Sequence, residues 1–165
     1  NGYRLKENLP TNLGEFYHPI GEIELIKEGH DITLVTYGSC CRIAMSAADE
    51  LEKLNIYIEV IDIQSLIPFD LTNQILQSLK KTNRIIFMDE DVPGGATSYM
   101  MQKVLENQNG YQHLDSKPIT ITAKDHRPAY GDDGDYFSKP NIDDVIDTSY
   151  SLMHEVNPSK YPEII

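Results

Sequence analysis

The chain has 165 residues, 40% of them apolar, which suits one domain of ordinary size with a substantial core. Twenty-six acidic side chains against fourteen basic ones leave a net charge of -12, which argues against a nucleic-acid or anionic-membrane partner and favours a basic protein surface. No apolar run approaches the ~20 residues needed to span a bilayer and no signal peptide opens the chain, so a soluble, cytoplasmic protein is expected. The two cysteines, Cys40 and Cys41, are sequence neighbours and cannot staple separate elements, which fits a reducing compartment.

Residues 1–20 carry Gly2, Pro10, Gly14 and Pro19 among polar side chains, a composition for an extended connector from an upstream domain. Because the chain starts at Asn1 rather than Met, it is expected to be part of something longer. Ile23 to Ile26 suits a short edge strand, and Glu28-Gly29-His30-Asp31 a turn. Ile32 to Tyr37 is β-branched and nearly all apolar, as a strand buried on both faces should be. Gly38 breaks it, Ser39 stands where an N-cap belongs, and Ile43, Ala47, Leu51 and Leu54 recur at helical spacing.

The strand-turn-helix unit then repeats. Ile56 to Ile63 is a second strand, Pro68 stops it, Asp70 is placed to cap, and Leu71, Ile75, Leu76 and Leu79 make one helix face. Arg84 to Met88 is a third strand, followed by a helix from Ala96 to Gln108 with Tyr99, Met100, Val104 and Leu105 inward and Gly110 as its end. Ile119 to Ala123 is a fourth, and Asp125 to Lys139 reads as a loop. The last helix opens on Asn141 and Asp144, a capping-box variant, with Ile142, Val145, Ile146, Leu152, Met153 and Val156 as its apolar stripe. Strands alternating with helices imply an α/β, three-layer, mostly parallel open sheet of about five strands with helices on both faces. The domain is expected over 21–157, with 158–165 as a tail.

Sites in such sheets form outside the carboxyl ends of the strands. Asp89, Glu90 and Asp91 fall there, able to bind a cation or a basic side chain, or simply to favour the start of the next helix. Gly94 and Gly95 permit a tight turn or a close backbone approach, but lack the spacing of a phosphate loop. Cys40 and Cys41 lie in a first helical turn, where a thiol can be activated, yet no His is near in sequence, and small buried side chains explain them as well. His126 and Arg127 offer an acid/base and an anion clamp, or else pair with local carboxylates or an adjoining subunit. Gly131-Asp132-Asp133-Gly134-Asp135 fails the spacing of an EF-hand and lacks the Gly-Asp-Gly and paired Asn of a thiamine diphosphate site. Tyr130, Tyr136 and Phe137 suit packing anchors or contacts to another surface.

Val35-Thr36-Tyr37-Gly38-Ser39, Glu59-Val60-Ile61-Asp62 with Leu66-Ile67-Pro68-Phe69-Asp70, Lys81-Thr82-Asn83-Arg84, and Asp89-Glu90 followed by Gly94-Gly95 occur in a fixed order. That order resembles the carboxy-terminal domain of transketolase-like enzymes, most closely the β part of 2-oxo acid dehydrogenase E1 components, over Ile20 to Val156. Asp125 to Pro140 departs from the commoner Gly-x-Asp-x-Pro loop and is similar to a bacterial subgroup whose α and β parts are fused. The resemblance implies an enzyme that uses thiamine diphosphate and Mg2+ to decarboxylate a branched-chain 2-oxo acid or pyruvate and passes the acyl group to a lipoyl arm on E2. Cofactor and catalytic residues are then expected in upstream domains, with none in this segment and no cofactor bound by it alone. Its implied partners are those domains, a second E1 protomer and the basic subunit-binding domain of E2. On this reading Asp89, Glu90, Asp91, Gly94, Gly95, His126, Arg127 and Tyr130 belong to an interface or the active-site surroundings. The acidic Asp143, Asp144, Asp147 and Glu155, with the chain end, are the expected E2 surface. The rivals are the matching domain of a transketolase or deoxyxylulose-phosphate synthase, and a flavodoxin-like or receiver-like signalling domain with Asp89 as phosphoacceptor. A receiver needs a further acidic pair at the end of its first strand, where this chain has Tyr37-Gly38-Ser39.

Overall fold

The computed structural model describes residues 6, 8–127, 130 and 134–163. The Gly-Asp-Asp stretch at 131–133, Gly2 of the expected connector, and the final two residues of the expected tail lie outside the described residues.

Five strands form one sheet in the order β1-β3-β2-β4-β5: β1 (Glu24–Lys27), β2 (Ile32–Thr36), β3 (Ile58–Asp62), β4 (Ile85–Met88) and β5 (Ile119–Ile121). All neighbours run parallel except β1, which lies antiparallel on β3. Alternation along the strands sends side chains to two cores, because successive residues face opposite sides of a sheet. On one side Ile32, Leu34, Ile58, Val60, Ile86 and Met88 meet α1 (Cys40–Lys53) and α5 (Ile142–Val156). On the other, Val35, Ile61, Ile85 and Phe87 meet α2 (Gln74–Thr82) and α3 (Ala96–Gln102). The expected three-layer α/β architecture is therefore the observed one.

Helix phase differs from the sequence reading at several positions. The buried face of α1 is Cys40, Ala44, Ala47, Ala48 and Leu51, so Ile43 is only half-buried and Leu54, past the helix end, is exposed. In α2 the buried residues are Ile75, Ser78, Leu79 and Thr82. The two polar ones turn inward because Thr33 of β2 hydrogen-bonds both, at 2.6 Å to Ser78 and 2.7 Å to Thr82. Leu71 precedes the helix and is exposed. These polar contacts satisfy groups that would otherwise be buried at a cost, which is why an apolar count misplaced the face.

Two helix ends also differ. Ser39 is helical in conformation and makes no capping hydrogen bond; the chain turns instead at Gly38, φ +60°, whose carbonyl accepts from the Cys41 N–H. After α3 the helix widens into a π-turn over Lys103–Asn107, and the left-handed residue that ends it is Asn109, not Gly110. Gly110 begins a short 3-10 turn, Gly110–His113, where a Cβ would lie 2.7 Å from the Val104 carbonyl oxygen. Small size, rather than positive φ, is what that position needs.

The capping box of α5 forms as the sequence predicts: Asn141 accepts from the Asp144 N–H at 3.0 Å and Asp144 accepts from the Asn141 N–H at 3.1 Å. Beyond the helix, Tyr161 is buried in the core beneath α5 and donates its hydroxyl to the Asn55 carbonyl at 2.9 Å. The stretch read as a tail thus contributes a core residue.

Candidate functional site

The strand order has a switch point. From β2 the chain passes through α1 to β3 on one side, then through α2 to β4 on the other side of β2. Consecutive crossovers diverge there, and a crevice is left outside the carboxyl ends of β2 and β4. A cleft of about 400 Å³ occupies this place, with Tyr37, Gly38 and Cys40 on the β2 side and Asp89, Glu90 and Asp91 on the β4 side. Lys139, from the short helix α4 (Gly134–Ser138) region, closes its rim at 3.7 Å from Glu90 and 4.0 Å from Asp135.

Asp89 is 4% exposed, and its N–H donates to the Ile121 carbonyl at 3.1 Å, tying the end of β4 to β5. The Asp89 carboxylate acts on the Tyr37 phenol across the cleft, and Oδ2 of that carboxylate has no partner among the described residues. Burial, then Asp89, pushes the Tyr37 phenol far above its ordinary value. Burial also pushes the Cys40 thiol up to about 11, with Glu90 and Asp89 adding to it, and the Cys41 thiol up to about 12, with Asp62 adding to it. Neither is an activated nucleophile: burial, with the carboxylates adding to it, outweighs the helix start. The reading of the cysteines as small packed side chains holds for Cys40, which is buried.

Each glycine after the acidic run has a local cause. Gly94 has φ +92° in the turn, and a Cβ at Gly95 would sit 2.7 Å from Asp91 Oδ2. The close approach at Gly95 is therefore to Asp91 of the same loop. Asp91 also accepts from the Val92 N–H at 2.8 Å.

His126 and Arg127 stand outside this cleft on an exposed stretch. The His126 Nδ1 is 2.7 Å from the Arg127 carbonyl oxygen, its ring lies 5.7 Å from that of Phe137, and Arg127 donates to the Tyr130 hydroxyl. No ion pair of either with a carboxylate occurs among the described residues. Tyr130, Tyr136 and Phe137 are all largely exposed, so they do not anchor this domain's own core. On α5, Asp143, Asp147 and Glu155 are exposed, whereas Asp144 is committed to the capping box. Asp143 accepts from the Tyr136 hydroxyl.

The sequence reading found the β4 half of the cleft and missed Tyr37, and it missed Lys139 altogether. Tyr37 directly follows a fully buried strand, a position that would have singled it out had the neighbour relation of β2 and β4 been known.

The family described as the C-terminal domain of transketolase matches residues 21–139. The pyruvate dehydrogenase E1 component subunit beta of Rhizobium meliloti (strain 1021) is 32% identical over 144 residues, covering 87% of this chain and 31% of that protein. The 2-oxoisovalerate dehydrogenase subunit beta of Bacillus subtilis (strain 168) is 36% identical over 95 residues, covering 57% of this chain and 28% of that protein. A solved split-gene transketolase, described as an inactive beta4 tetramer, is similar in fold, with a TM-score of 0.68 at 22% identity over 88% of this chain and 46% of that one. The chain thus spans less than half the length of each of these proteins.

Proposed function

Because this chain belongs to the family of transketolase C-terminal domains, of the 2-oxo acid dehydrogenase E1 β type, we propose that it is the non-catalytic assembly domain of such an E1 enzyme. In the whole protein the reaction is decarboxylation of pyruvate or a branched-chain 2-oxo acid, with acyl transfer to a lipoyl group on E2. Thiamine diphosphate with Mg2+ supplies the electron sink for that decarboxylation, held by domains upstream of this one. The cleft does not fit that cofactor: Asp89, Glu90 and Asp91 line it and would repel a diphosphate. This chain's own contribution is to present the carboxyl end of its sheet to another domain or subunit, and the acidic face of α5 to E2. Its two free thiols suit a cytoplasmic setting.

The observation that carries this reading is the match to E1 β subunits over most of the chain but less than half of their length. It is tested by calorimetry and by complementation. The isolated chain should give no heat with thiamine diphosphate and Mg2+ and no 2-oxo acid decarboxylation. Added to the upstream region of the same protein, it should restore both activity and the oligomer seen by sedimentation. Cofactor binding by the isolated chain, or full activity and assembly without it, would overturn the proposal.

A further inference from the structure

We propose that the cleft between Tyr37 and Asp89 receives a guanidinium group, presented by an arginine side chain of a neighbouring protein surface. The proposal rests on the reading that this end of the sheet faces another domain or subunit, and it names the chemistry of that contact.

Asp89 is the starting point. The residue is 4% exposed and lines the cleft, and its Oδ2 has no hydrogen-bond donor among the described residues. A buried carboxylate oxygen left without a donor costs free energy, so such atoms in folded proteins almost always have one. Of the donors nearby, the Asp89 N–H is engaged with Ile121, the Val92 N–H with Asp91, and Lys139 with Glu90 and Asp135, while the Tyr37 hydroxyl across the cleft makes no hydrogen bond to Oδ2. Glu90, beside it at the mouth, adds a half-exposed carboxylate.

The lining discriminates between ligands. An anion is repelled by three carboxylates, although α1 begins here. A hard divalent cation wants several converging oxygens, and among the described residues no group of three ligating side chains forms. A guanidinium is planar, can place two N–H groups against one carboxylate, and lays its face on an aromatic ring, which Tyr37 provides at the same wall. An ammonium uses the charge but neither the fork nor the ring. A volume of about 400 Å³ admits an arginine side chain together with its methylene stem.

The test titrates the 165-residue chain with methylguanidinium chloride at constant ionic strength, following the amide resonances of Gly38, Asp89 and Glu90, with methylammonium and Mg2+ as comparisons. The expected result is saturable shifts confined to these amides, with methylguanidinium binding tighter than either comparison. Asp89→Asn should weaken it by about tenfold or more and Glu90→Gln by a smaller factor. The second variant keeps the test open if the first fails to fold. Absence of saturation, equal binding of methylammonium, tighter binding of Mg2+, or unchanged affinity in both variants would overturn the site. This titration needs no partner, so its failure leaves the assembly reading standing, and failure of assembly leaves the titration intact. A second arm uses the assembled full-length protein. Glu90→Gln and Asp89→Asn should weaken subunit association, and methylguanidinium should no longer shift the cleft amides. If association is unchanged and the assembled protein still binds methylguanidinium, the source is a free small molecule and the arginine assignment falls.

Discussion

Cys40 and Cys41 illustrate how a position in sequence can mislead about a residue. Both stand at the start of a helix, where the dipole favours a thiolate, but burial removes the water that would solvate the charge. Three nearby carboxylates, Asp89 and Glu90 beside Cys40 and Asp62 beside Cys41, add repulsion of the same sign. Since the thiolate is the reactive form and both values are raised, from 9.0 to about 11 and about 12, reactivity is low at neutral pH and grows as pH rises. The rate of iodoacetamide modification in the folded chain should increase by about tenfold per pH unit between about pH 7 and about pH 10. Peptide mass mapping against time checks this, and a plateau reached near neutral pH would refute it.

At the scale of elements, Asp70 carries more than the cap expected of it. It sits in a left-handed conformation at φ 37°, and its two oxygens accept from the Gln74 N–H at 2.8 Å and the Ile75 N–H at 3.0 Å at the start of α2. The second oxygen also accepts from Gln108 Nε2 at 3.1 Å, just after the π-turn. One carboxylate therefore fixes the start of α2 against the end of the α3 segment, on the same side of the sheet. Asp70→Ala should lower stability by about 1–3 kcal/mol, the loss of a cap plus a buried charge-assisted contact. Asp70→Asn, which keeps one acceptor, should recover part of this. Urea unfolding of both variants measures the difference, and an alanine variant with the parental midpoint would show the contacts to be idle.

At the scale of the whole molecule, the net charge of -12 is distributed so that α5 offers Asp143, Asp147 and Glu155 to solvent while Asp144 serves the helix itself. Long-range attraction of a basic partner to such a face acts mainly on the association rate and is screened by salt. On the proposed docking to an E2 subunit-binding domain, the on-rate of the full-length protein should fall as ionic strength rises. Replacing Asp143, Asp147 and Glu155 by their amides should slow association by about tenfold at low salt, with a smaller effect of Asp144→Asn on binding than on stability. Surface plasmon resonance across a salt series reads both, and salt-independent binding would remove E2 from this face.

Strand identities, the α/β class, the α5 capping box and the acidic end of β4 were all legible in the sequence, because each depends on residues within a turn or two of one another. Alternation and helical spacing set Ile32, Leu34 and Val35 on their faces, and Asn141 with Asp144 reports a helix start from three residues' separation. Other features waited on the fold. Thr33 turns Ser78 and Thr82 inward from another element, Gly110 is required by the Val104 carbonyl, and Tyr161 returns to a core laid down by α1 and α5. The cleft itself exists because β4 pairs with β2 rather than β3, bringing Tyr37 to Asp89 across fifty-odd residues of chain. Local patterning determined which segments form strands and helices; only the order of those strands decided which side chains share a site, since that order is fixed by packing between distant segments.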